Sequence, residues 1–160
     1  MFYFRENKPI TIITALSVLF LIMHTFSAIF NNEREVFMEQ DDSLVALIQN
    51  YVDYGDEINF DEMIDFDWDT LFVIRSHEVP AFAFERANVE WKNIRTSIGV
   101  MDAETLIIFL EDYEIVSYVN YPRIYGDFQN SGTFERNLSK FEVERDEEHN
   151  RIYLNHIAVT

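Results

Sequence analysis

No cysteine occurs in the 160 residues of the chain, which excludes disulfides, thiolate metal ligands, a cysteine nucleophile and a lipidated-cysteine anchor. Glycine and proline are scarce, at four and three, and neither a glycine-rich phosphate-binding loop nor an internal repeat is present. Positive charge is scarce as well: 12 Lys and Arg stand against 29 Asp and Glu, a net charge of −17 at pH 7. A field of that sign repels nucleic acid phosphates and anionic lipid, excludes direct nucleic acid binding, and favours cations or basic protein surfaces. Solubility is the blander reading of the same charge.

What is abundant is apolar and aromatic. Hydrophobic residues make up 48% of the chain and aromatic ones 16%, with 15 Phe and 8 Tyr, too much for a disordered protein and enough for an aromatic core. Once residues 1–30 are set aside, roughly 130 remain, and a domain of that size hides about two-thirds of its unfolded surface.

One long apolar run stands apart. From Ile10 to Phe30 the chain carries no formal charge, and as a helix these residues span about 31 Å, the thickness of a hydrocarbon core. Ile10, Leu16, Leu19, Phe20, Leu21, Ile22 and Phe26 are its apolar body, and Pro9 sits where a missing N–H costs nothing. His24 lies near the outer end, within reach of the interface. Arg5 and Lys8 precede the span while Glu33, Glu35, Glu39, Asp41 and Asp42 follow it, so the positive-inside rule sets the N-terminus in the cytoplasm. A cleaved signal peptide is the main rival, but cleavage after Ala28 would put Phe26 where a small residue is required. The expected organisation is a cytoplasmic segment 1–9, a transmembrane helix 10–30, an acidic stalk 31–42 and an extracytoplasmic domain 43–160.

Within that domain the spacing of Leu44, Leu47, Ile48, Tyr51 and Val52 predicts a helix over 44–54, with Ser43 as N-cap and Gly55 as stop. Trp68 to Arg75 reads as a central strand, and Pro80 opens a second helix reaching residue 91. Thr105 to Leu110 and Ile115 to Val119 flank a short polar turn and predict a hairpin. Pro122 to Thr133 reads as a loop pinned by Tyr125 and Phe128. Lys140 to Arg145 and Arg151 to Val159 form a second strand pair.

Three groupings bear on chemistry. Asp65, Asp67 and Asp69 put three carboxylates on one side of an extended chain, where a cation could bridge them. The EF-hand loop is missing its Gly and its terminal Glu, since Thr70 and Ser76 stand there, and Thr70 falls one place early for a haloacid-dehalogenase-like Asp-x-Asp-x-Thr. Arg75, His77 and Glu78 resemble acid-base equipment, yet adjacency in sequence does not bring a nucleophile or third ligand with it. His149 and His156 fit no recurrent metal spacing. Asn137-Leu138-Ser139 is a glycosylation sequon, relevant only in a glycosylating source. In the alternation of Trp68 to Ile74, Trp68, Phe72 and Ile74 share one apolar stripe and the carboxylates face away.

The block Phe66-Asp67-Trp68-Asp69 running into an aliphatic strand, followed by the Leu/Ile/Phe hairpin ending in Tyr121-Pro122-Arg123 and by Asp127-Phe128, resembles uncharacterised small bacterial membrane-anchored or secreted proteins. The resemblance implies extracytoplasmic placement and carries over no activity or site residue. The expected fold is α+β, with both helices packed on one face of a mainly antiparallel sheet of about four or five strands. The expected function is a single-pass, membrane-anchored binding or accessory domain that acts through a protein partner, with no catalysis and no cofactor. The alternative is a small hydrolase or metal-assisted enzyme using Asp67, Asp69 and His77.

Overall fold

Two charge-free runs, Leu71 to Ile74 and Thr105 to Leu110, are apolar at every position except Thr105 instead of alternating, a pattern that suits strands covered on both faces. The computed structural model, which describes residues 38–76, 78–89, 94–98 and 102–158, places both at the centre of a sheet. Strand β1 is Glu57–Asn59, β2 Thr70–Ile74, β3 Glu104–Glu111, β4 Glu114–Pro122, β5 Asp127–Phe128, β6 Gly132–Glu135, β7 Lys140–Asp146 and β8 Arg151–His156. The first sheet runs β4-β3-β2-β6, all antiparallel, with Phe72 opposite Ile108 on one side and Thr133 on the other. The second runs β1-β7-β8-β5, antiparallel except for the β5–β8 pair.

The two faces of the first sheet hold separate cores. Leu71, Val73, Ile107, Phe109 and Val119 face the second sheet, meeting Ile58, Phe128, Phe141, Val143 and Leu154. Phe60 sits between, 5.9 Å from Phe109 and 5.8 Å from Phe141 by ring centroid, the latter edge-on, the geometry aromatic quadrupoles favour. On the opposite face Phe72, Ile74, Leu106, Ile108 and Tyr118 are covered by Ala83, Phe84, Val89, Ile94 and Ile98.

Helix α1 (Asp42–Tyr54) buries Leu44, Ile48 and Val52 in the first of these cores. Its N-cap is Asp41, whose carboxylate accepts the Ser43 N–H at 3.0 Å; Ser43, expected as the cap, already lies in the first turn. A Cβ on Gly55 would come 2.8 Å from the Tyr51 carbonyl, which explains why glycine stands at the stop. Arg145 donates to the carbonyls of Val52 and Gly55, both at 2.7 Å, setting a cation on the negative end of the helix dipole. Helix α2 is the single turn Phe60–Met63. Helix α3 (Pro80–Ala87) starts at Pro80 as expected and ends on Asn88 in the left-handed conformation, φ 55°.

The α+β class and mainly antiparallel pairing agree with the sequence. Two details differ. There are two four-stranded sheets in place of one, and α1 and α3 cover opposite faces of the central sheet in place of sharing one. Both follow from β2 and β3 being apolar on each side, so that each face needs its own cover. The stretch read as a stalk also ends earlier: Met38 packs on the second core, the Asp41 N–H donates to the Tyr118 carbonyl at 2.9 Å, and Gln40 accepts from Asn120. Residues 38–41 thereby cover the outer edge of β4 at Tyr118 to Asn120.

The span 10–30 with Ile10, Leu16, Leu19, Phe20, Leu21, Ile22 and Phe26, its flanking Arg5 and Lys8, and His77 lie outside the described residues. Among the described residues no helix is long and apolar enough to cross a membrane.

Candidate functional site

Asp65, Asp67 and Asp69 are exposed, while Phe66 and Trp68 turn inward against the Phe109 ring at 5.4 and 5.2 Å. The carboxylates do face away from the core. The stripe is different from the one expected, however: Trp68 packs with Leu71 and Val73, whereas Phe72 and Ile74 serve the opposite core. The phase slips at Asp69-Thr70 because β2 begins only at Thr70, so alternation counted through from Trp68 is off by one.

Asp69 is engaged with the chain itself. Its N–H donates to the Leu110 carbonyl, its carbonyl accepts the Arg136 N–H, and its carboxylate accepts the Asp112 N–H, each at 2.8 Å. Among the described residues no three His, Asp or Glu side chains are grouped to hold a metal ion. Arg75 and Glu78 turn to different partners: Arg75 donates to the Gln129 carbonyl at 3.1 Å, and Glu78 pairs with Arg86 at 2.9 Å. His149 sits 2.9 Å from Asp146 in the β7–β8 turn, and His156 touches the Leu138 carbonyl and the Phe134 ring.

One polar cluster was not singled out by sequence. Arg123 grips Asp127 through two hydrogen bonds, at 2.8 and 2.7 Å, and bonds Asp102 and Ser76 with its remaining nitrogen. Ser76 in turn donates to Asp102. The bond to Asp127 raises the Arg123 pKa further above its ordinary value. The guanidinium ties the end of β2 to the start of β3 and to β5, a clamp in which one cation holds two carboxylates. The i, i+4 spacing of Arg123 and Asp127 was its only trace in sequence.

A run of hollows lies along β6. Among the described residues this strand pairs with β2 on one side and with no strand on the other. Beside it run three adjoining hollows of about 160, 510 and 440 Å³. The first two lie between β6 and α3, sharing Arg86, Ala87 and Thr133; the third shares Asp69, Thr70 and Glu135 with the second and ends against Trp68 and Arg136. Two guanidiniums line this groove, and each is spoken for: Arg86 by Glu78, and Arg136 by Asp61 at 2.6 Å, with its charge 5.2 Å over the Trp68 ring. Asp69, Asp112 and Glu135 have no cation opposite them among the described residues.

Tyr113 stands at the mouth of the groove, 69% exposed. It and Asp112 occupy the two-residue turn between β3 and β4 with φ of 68° and 51°. Both central residues of such a turn require positive φ, for which Asn-Gly is the usual choice. A tyrosine held there is unusual for a bulky side chain. No family model, no curated protein and no solved structure matches the chain.

Proposed function

We propose that the chain is a single-pass membrane protein whose acidic α+β domain is held outside the cytoplasm, in a bacterial envelope, and recruits or regulates a protein partner without performing catalysis. The observation that carries the reading is the edge of β6, unpaired among the described residues and opening on a groove whose carboxylates outnumber its cations. Unpaired strand edges are templates for another chain, and proteins ordinarily cover or blunt them. The apolar run Ile10 to Phe30, preceded by Arg5 and Lys8, supports the anchor and its direction.

Three measurements test it. Alkaline phosphatase fused after Thr160 is expected to be active; activity only from a cytoplasmic reporter sinks the orientation. Leu16→Arg is expected to release the protein from membranes or block insertion, because a central charge costs about 2.5–3.5 kcal/mol on insertion scales. Photo-crosslinking from the domain of the full-length protein in cells is expected to yield a discrete protein adduct, and its absence from every surface position sinks recruitment.

A further inference from the structure

Resting on the recruitment reading above, we infer that the free edge of β6 receives an extended, basic segment of the partner protein, which adds as a further strand to the central sheet. The edges of this molecule differ sharply in how they are closed. The outer edge of β4 is covered at Tyr118 to Asn120 by residues 38–41, with Asp41 bonded to Tyr118, and Asn120 also donates to the Arg95 carbonyl. In the second sheet the outer strands β1 and β5 are only three and two residues long, too short to template a partner. β6 offers four residues at the end of the central sheet with no strand beyond them among the described residues, and Gly132-Thr133-Phe134-Glu135 contains neither the proline nor the lysine that blunts such edges.

A strand laid against β6 satisfies its outward N–H and C=O groups and sends alternate side chains to the two sides of the sheet. On the α3 side those side chains enter the hollow lined by Thr133, Glu135, Asp69 and Asp112. The partner's charge follows from the groove's: Asp69, Asp112 and Glu135 attract lysine or arginine, while the domain as a whole repels acidic chains. A second copy of this chain fits poorly, since self-pairing would set the same carboxylates against each other. Tyr113, exposed on the same hollow, offers an aromatic contact to the side chains that enter it.

The test uses the full-length protein in detergent micelles and a fluorescent, end-capped peptide of about eight alternating lysines and valines, long enough to pair along an edge of this kind. Its controls are the same peptide N-methylated at every second residue and a glutamate-valine counterpart. The lysine-valine peptide is expected to bind below about 1 mM and the glutamate peptide not at all; N-methylation, which keeps the charge and removes strand pairing, is expected to weaken binding at least about tenfold. Glu135→Lys is expected to weaken it by a similar factor. Tyr113→Gly is expected to weaken it while leaving the melting temperature no lower. Equal binding of methylated and unmethylated peptides, no binding of either, or indifference to Glu135→Lys overturns the inference. So does a dimer that Glu135→Lys dissociates. The two levels separate cleanly: cellular crosslinks that persist unchanged in Glu135→Lys overturn the strand-addition site and leave recruitment standing, whereas a wild-type protein with no crosslinks at all removes recruitment.

Discussion

The Asp69 carboxylate accepts the backbone N–H of Asp112 at 2.8 Å, across 43 residues of sequence. That single bond joins the entry of β2 to the tip of the β3–β4 hairpin and steadies a turn whose two central residues both sit at positive φ. The other two bonds of Asp69 are made by its backbone and survive truncation of the side chain.

Asp69→Ala is therefore expected to cost about 1 kcal/mol, the usual net worth of such a hydrogen bond near the surface. Asp67→Ala, an exposed residue with no bond among the described groups, is expected to change stability by less than about 0.5 kcal/mol. Denaturant melts of the two variants check this, and equal effects would count against the turn-bracing role.

Trp68 is 3% exposed, packs edge-on against Phe109, and lies under the Arg136 guanidinium. Trp68→Ala is expected to cost about 3–5 kcal/mol, enough to threaten a domain of ordinary stability. Its indole N–H has no hydrogen-bond partner among the described residues, so Trp68→Phe, which keeps an aromatic ring and drops that group, should retain the fold. Loss of folding in Trp68→Phe would show that the indole N–H or the full ring is indispensable.

Both hairpins were legible because each carries its own local signature: an apolar or alternating run, a short polar turn, and a return. β5 and β6 were not, since two and four residues are too few for any periodicity to register, and β6 owes its identity to pairing with β2 some sixty residues earlier. The same limit hid the role of Asp69. A row of carboxylates is visible in sequence; that one of them bonds the backbone of Asp112 is a fact of tertiary structure. The opposite placement of α1 and α3 was hidden for another reason: an amphipathic helix declares which of its faces is apolar and is silent about which side of a two-faced sheet it will cover.

The β7–β8 turn carries a pH dependence with a definite sign. Asp146 accepts the backbone N–H of His149 at 3.1 Å and lies 2.9 Å from its Nδ1, and these bonds hold its carboxyl below the ordinary carboxylate value. A depressed folded pKa stabilises the protein above the unfolded value and loses that contribution as pH falls through the folded one. Asp146→Asn is thus expected to lose less stability than the wild type as pH falls through and below the ordinary carboxylate range, while carboxyl NMR should find Asp146 titrating below the ordinary aspartate value. A normal Asp146 titration would dismiss the bond.

Tyr121 offers the sharpest test of core chemistry. It is fully buried in β4, directly across from Thr105 in β3, and neither its hydroxyl nor that of Thr105 has a partner among the described residues. Its ring meets Phe128 edge-on at 6.0 Å, so the aromatic packing survives removal of the oxygen. A buried hydroxyl without a partner costs about 1–3 kcal/mol, and Tyr121→Phe is expected to stabilise the protein by something near the lower end of that range. Burial, then the charge of Asp53, then Tyr125, push the Tyr121 phenol well above its ordinary pKa. In the unfolded chain the same phenol ionises near about pH 10. Stability is therefore present in full below that pH and drains away above it, because the unfolded state releases a proton that the folded state retains. Phenylalanine has no proton to release, so the advantage of Tyr121→Phe over the wild type should widen from pH 7 to about pH 10.5. Paired denaturant melts at the two pH values measure both effects. A Tyr121→Phe protein less stable than the wild type at pH 7 would mean that the hydroxyl is bonded after all.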